Sequence, residues 1–164
     1  MDIQIATGTG SSSTKLAAFD ASLFNAGVSN YNLIRLSSII PPGSVICVDS
    51  PIKKQPGGWG DRLYCVVAEM RVDTPGMQAW AGIGWVQEKS SGKGLFVEHE
   101  GYSEQSVRND IEASLGELQQ IRNVDFGEIQ MKMVGRTCVA EPVCALVVAV
   151  FSACAWSAGN EAVQ

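Results

Sequence analysis

The apolar positions change period along the chain, and each change marks an element. Residues 3–7 alternate weakly and lead into Gly8-Thr9-Gly10-Ser11-Ser12-Ser13-Thr14, a glycine- and hydroxyl-rich stretch that reads as a turn capping a helix. Over 14–25, Leu16, Phe19, Leu23 and Phe24 recur at helical spacing and Ala26-Gly27 supplies a stop, so a short helix is expected. Residues 31–40 read as one strand, ended by Pro41-Pro42-Gly43 because proline has no N–H for a ladder and restricts the residue before it. Residues 49–61 read as a loop. Segments 62–72 and 78–87 are rich in Val, Tyr, Ile and Trp. With the turn-forming Asp73-Thr74-Pro75-Gly76 between them, they are expected to form a hairpin. A polar turn over 89–93 leads to a third strand of this group at 94–100.

From 103 to 122, Val107, Ile111, Leu115, Leu118 and Ile121 fall on one stripe, which predicts an amphipathic helix lying on a sheet, with Glu104 suiting the positive end of its dipole. Two strands close the chain at 126–134 and 143–156. The second is apolar on both faces and is expected to be central, covered from both sides. Strands before and after two helices, without regular β-α-β alternation, define the α+β class: mainly antiparallel sheet, covered by helices in a layered sandwich. The 164 residues suffice for one core, and no repeat or linker divides them, so residues 1–164 are read as a single domain.

Composition narrows the function classes. At 46% hydrophobic and 18% charged residues the chain can bury enough surface to fold. A net charge of −5 lacks the basic footprint of a nucleic-acid or anionic-lipid binder. Its longest apolar stretch, 143–156, is interrupted by Ser152 and falls short of the roughly 18 residues of a membrane helix. Cys47, Cys65, Cys138, Cys144 and Cys154 lie among apolar neighbours without metal-ligand or disulfide spacing, and Met1-Asp2-Ile3-Gln4 does not begin a secretory signal. They read as small buried hydrophobes in a reducing cytoplasm.

Four places carry candidate chemistry. Gly8 to Lys15 resembles a phosphate loop only loosely, because Thr14 precedes Lys15 and Leu16 follows it, where the pattern needs glycine and a hydroxyl. Glu98-His99-Glu100 holds the lone histidine. On a strand the two glutamates share a face that His99 does not, so a three-ligand metal site is not expected. That carboxylate pair, following Phe96, is either a solvated pair of charges or the source of a general acid. Asp20 shares its helix face with Leu16 and Leu23, and a buried carboxylate there would need an internal cation, a backbone cap or a cationic ligand. The fourth is Asn32 with Ser37-Ser38, poor strand formers inside an apolar strand, where Asn32 and Ser38 would share a face. A serine hydroxyl held against the preceding carbonyl can replace the amide by an ester, and β-elimination then splits the chain.

LAAFDASLFNAGVSNYNLIRLSSIIPPG (16–43), AGIGW (81–85) and GLFVEHEG (94–101) together resemble the pyruvoyl-dependent arginine decarboxylase family, with the element order similar over essentially the whole chain. The resemblance implies self-cleavage between Ser37 and Ser38 into 1–37 and 38–164, with Ser38 becoming an N-terminal pyruvoyl group. It implies that Asn32 assists processing or catalysis and that Glu98 is the proton donor. Asp20 would bind the substrate guanidinium, with Leu16, Leu23 and Ser37 in the same pocket. The α-amine of L-arginine would condense with the pyruvoyl ketone, and the conjugated imine would take up the electrons released as carbon dioxide leaves. Agmatine is the implied product, and neither metal nor pyridoxal phosphate is expected. The resemblance also implies a four-layer αββα sandwich and a homotrimer with active sites between subunits. The rivals are a pyruvoyl-dependent decarboxylase of histidine, lysine or ornithine, and a trimeric interaction protein of the same fold that never cleaves.

Overall fold

A computed structural model describes residues 1–48, Ile52 and 58–156. The elements run β1 (Asp2–Ser11), α1 (Lys15–Ala26), β2 (Asn32–Arg35), β3 (Ile39–Ile40), β4 (Val45–Val48), β5 (Arg62–Val72), β6 (Gln78–Gln87), β7 (Gly94–Gly101), α2 (Glu104–Arg122), β8 (Gln130–Thr137) and β9 (Val143–Cys154). They form a larger sheet ordered β2-β5-β9-β1-β4 and a smaller one ordered β3-β7-β6-β8. Most pairings are antiparallel; β1 with β4 and β2 with β5 are parallel. One face of the larger sheet carries α1, the smaller sheet carries α2 on β6, β7 and β8, and the two sheets pack together between the helices. The fold is the expected α+β sandwich of four layers.

The centre lies between the sheets. Ile3, Ile5, Val66, Ala68, Val147 and Ala149 of the larger sheet meet Ala81, Ile83, Trp85 and Phe96 of the smaller one. β9 is the middle strand and is buried without a break from Val143 to Phe151, because alternate residues face opposite apolar layers. Burying one such aliphatic side chain contributes about 1.5–3 kcal/mol, so this strand anchors both layers. Val107, Ile111 and Leu115 form the buried stripe of α2, as their spacing predicts.

Several expectations are corrected. Segments 62–72 and 78–87 are both strands, but they belong to different sheets: β5 lies between β2 and β9, and β6 between β7 and β8. Their apolar faces stack instead of their edges pairing. Gly8 and Gly10 continue β1 and form no turn, and Thr14 is the helix N-cap, its hydroxyl accepting from Ala17 N at 3.1 Å. A short strand, β4, follows Pro41-Pro42-Gly43 where none was expected, and the penultimate strand begins at Gln130 rather than near 126. Most of the expected loop 49–61 lies outside the described residues. Cys65, Cys138 and Cys144 are buried as expected, whereas Cys47 is half-buried and Cys154 exposed. Among the described residues, no helix is long and apolar enough to cross a membrane.

The orientation of α1 departs most from its periodicity. Its buried positions are Ala18, Ser22, Leu23 and Ala26, a small-residue face. Gly8 and Gly10 explain the choice, since a Cβ on Gly8 would collide with Ser22 O and one on Gly10 with Ala18 O. The helix backbone therefore rests against the strand, and its larger side chains turn outward. Leu16 is 68% and Phe24 76% exposed.

Candidate active site

The expected strand over 31–40 is broken, and the break makes the site. β2 pairs with β5 in the larger sheet and β3 with β7 in the smaller one, so residues 36–38 cross from one sheet to the other. Leu36 N donates to Cys65 O at 2.9 Å on the near side, and Phe96 N donates to Ser38 O at 2.8 Å on the far side. Ser38 lies in the left-handed region, with φ 66°. For a residue with a Cβ that conformation costs roughly 1–2 kcal/mol, and hydrogen bonds from both sheets hold it there.

β7 brings the carboxylate. Phe96 faces the inter-sheet core, Leu95 and Val97 face α2, and by alternation Glu98 falls on the Phe96 side, where it accepts a hydrogen bond from Ser38 Oγ. Glu98 is half-buried, opposite Ile83 across the ladder and two residues from fully packed Phe96. His99 takes the other face and meets Ser114 of α2, Nε2 to Oγ 2.8 Å. The split of His99 from Glu98 and Glu100 follows the strand pleat. Among the described residues no three His, Cys, Asp or Glu side chains converge as metal ligands. On the α1 face of the larger sheet, burial pushes the Cys65 thiol up to about 11, with the Arg35 guanidinium pulling it partly back.

Asn32 and Ser38 do not share a face, because the strand that would have aligned them ends at Arg35. Asn32 begins β2, about 10 Å from that end at the usual strand rise. Its Nδ2 donates to Gly60 O, which also accepts from Trp156 Nε1 at 3.0 Å. Sequence reasoning missed Gly60 and the Phe96 amide, since main-chain groups leave no side-chain signal.

Asp20 is exposed together with Leu16, and Leu23 alone of the three is buried, at 7% exposure. The expectation of a carboxylate on the buried face is overturned by the close seating of α1 on the glycines of β1. α1 covers the outer side of the larger sheet, whereas Ser38 meets Glu98 on the inner side of the smaller one. A single chain thus unites Ser37, Ser38 and Glu98 and keeps Asp20 and Leu16 apart from them.

Comparison with known proteins places these parts among pyruvoyl-dependent decarboxylases: residues 2–155 match the family described as "Pyruvoyl-dependent arginine decarboxylase (PvlArgDC)". A protein of that name from Halobacterium salinarum is 43% identical over 98 residues, a stretch spanning 58% of this chain and 58% of that relative. Another from Thermococcus kodakarensis is 31% identical over 151 residues, covering 89% of this chain and 91% of the relative. Among solved structures, a pyruvoyl-dependent histidine decarboxylase at pH 8 aligns with TM-score 0.46 and 15% identity over 60% of this chain and 54% of its own. The chain belongs to the pyruvoyl-dependent arginine decarboxylase family.

Proposed function

We propose that this chain cleaves itself between Ser37 and Ser38 and then converts L-arginine to agmatine and carbon dioxide. One observation carries the reading: Ser38 is held in a left-handed conformation at the crossing between sheets, with its hydroxyl on Glu98. Strain of this kind at a non-glycine residue points to function. Addition of Ser38 Oγ to the Ser37 carbonyl carbon forms an ester as the C–N bond breaks, and the hydroxyl proton ends on the Ser38 nitrogen. Loss of the Ser38 α-proton then breaks the Cβ–O bond, freeing the Ser37 carboxylate, and water replaces the nitrogen as ammonia departs.

The residues present fit a pyruvoyl group derived from Ser38, whose carbonyl oxygen already has the Phe96 amide as donor. When bound, that group supplies a ketone that condenses with the substrate amine and draws electrons away as the carboxylate is lost, so neither a metal nor pyridoxal phosphate is assigned. Glu98, half-buried beside Phe96, returns one proton to the substrate α-carbon. Asn32, fastened to Gly60, is assigned to the same reaction. Asp20 meets the guanidinium with paired charge-assisted hydrogen bonds, and Leu16 and Ser37 complete the pocket, while Leu23, packed in the core beneath α1, supports the helix from behind.

Because Asp20 and Ser38 lie on opposite sides of the larger sheet, the substrate pocket takes α1 from a neighbouring copy. We assign the homotrimer with sites between subunits on that ground and on the family resemblance. The five unpaired cysteines fit a cytoplasmic setting.

Intact mass spectrometry under denaturing conditions tests the reading. Fragments 1–37 and 38–164 are expected in place of the 17.5 kDa chain, the larger lighter by one ammonia than its serine-started form. Carbon dioxide release should then favour arginine over histidine, lysine and ornithine. A chain that stays whole overturns the enzyme reading in favour of a non-cleaving interaction protein, and preference for another amino acid overturns the substrate.

A further inference from the structure

Glu69 has no part in the chemistry above, yet it is a carboxylate only 19% exposed on the α1 face of β5. Arg71 Nη2 holds its Oε1 at 2.7 Å, and the Arg71 guanidinium carbon rests 4.0 Å over the Phe19 ring of α1. The other oxygen, Oε2, is buried and receives no hydrogen bond among the described residues. The cation facing it is Arg35, with Nη2 at 3.7 Å. With Oε1 held by Arg71, Arg35 is the cation beside Oε2, at ion-pair rather than hydrogen-bond distance and with its own side chain 57% exposed.

Arg35 is the last residue of β2, two positions before Ser37. β2 has four residues, sits at the edge of its sheet and, among the described residues, pairs with β5 alone, an arrangement prone to local opening. Downstream, the crossing is held by the Phe96 amide and by Glu98. Upstream, the Leu36 N bond to Cys65 O is joined by the Arg35–Glu69 tie. Attack by Ser38 Oγ on the Ser37 carbonyl needs both sides of that peptide bond fixed, since an error of about 1 Å in such geometry costs about a hundredfold in rate.

We infer that Glu69, pinned by Arg71, is a positioning residue for self-cleavage: it anchors Arg35 and thereby the upstream side of the Ser37–Ser38 bond. The inference rests on the self-processing proposed above.

Freshly translated full-length chain is followed by denaturing mass spectrometry for the rate at which 38–164 appears, in wild type, Arg35→Met, Glu69→Gln, the double variant and Arg35→Lys. Thermal unfolding of the same variants, carried in an uncleavable Ser38→Ala chain, reads stability separately. Arg35→Met and Glu69→Gln are each expected to slow cleavage about tenfold or more. The double variant should be no slower than the worse single one, because both remove the same tie. Arg35→Lys, which keeps the charge, should recover most of the rate.

Wild-type cleavage rates in both single variants overturn the inference. So do losses that add in the double variant, and losses that merely follow the fall in unfolding temperature. A wild-type chain that never cleaves overturns the self-processing reading itself and the inference with it.

Discussion

Ser38 and Glu98 are 60 positions apart, and the Ser38 hydroxyl donates to the Glu98 carboxylate because two strands of the smaller sheet, β3 and β7, lie side by side. The contact joins the residue proposed as the cleavage point with the group proposed to donate a proton afterwards. The two stages can therefore be separated by chemistry at Glu98.

Glu98→Gln keeps an oxygen able to accept from Ser38 Oγ but has no acidic proton to deliver to carbon. Cleavage into 1–37 and 38–164 is expected to proceed, while kcat for arginine falls by about 10²–10⁴. Mass spectrometry combined with a carbon dioxide assay on the same preparation checks both halves. Near-normal turnover would remove Glu98 from the decarboxylation step.

Asp20→Asn tests the guanidinium partner. Losing one charged partner of a bidentate pair costs about 1.5–3 kcal/mol, which corresponds to a rise in KM for arginine of roughly ten- to a hundredfold. Because Asp20 takes no part in the ester formation or the elimination at Ser38, self-cleavage should be unaffected. Unchanged arginine kinetics would refute the assignment.

Gly10→Val tests why α1 turns its large side chains outward. The new Cβ would meet Ala18 O and lie 2.7 Å from Ser22 N, both helix backbone and unable to swing aside. Displacing α1 should lower stability by about 1–3 kcal/mol, read as a drop in the urea midpoint. Gly76→Ala, in an open turn at φ 87° where an added Cβ would have nothing within 4 Å, should cost less, chiefly through its backbone conformation.

Cys65 contributes a defined pH dependence. Its buried thiol is raised from 9.0 to about 11, mainly by desolvation, and burial raises Cys144 in the same sense. In the unfolded chain the thiol loses its proton near pH 9 while the folded chain keeps it, so the folded state binds more protons. Stability is fully present below pH 9 and falls as pH rises from about 9 to about 11. Urea unfolding of wild type and Cys65→Ala across that range should show a shallower decline in the variant. Parallel curves would mean that the thiol ionises at the same pH in both states.

What local facing can encode is legible in the amino-acid pattern. The stripe Val107, Ile111, Leu115 produced α2, the doubly apolar run from Val143 produced the middle strand, and the Ser37-Ser38 and Glu98 motifs pointed to the residues that meet. The tertiary structure decided which sheet each strand joins, because period-2 alternation reports how residues face and not which neighbour pairs with their edge. That is why the pattern alone gives a hairpin for β5 and β6 and an unbroken strand for 31–40. Tertiary structure also sets the orientation of α1: helical spacing puts Leu16 and Phe24 on the apolar stripe, but two glycines on β1 let the helix backbone itself make the contact. The left-handed Ser38 likewise has no local cause in the sequence, and only hydrogen bonding from two sheets at once holds a serine in that conformation.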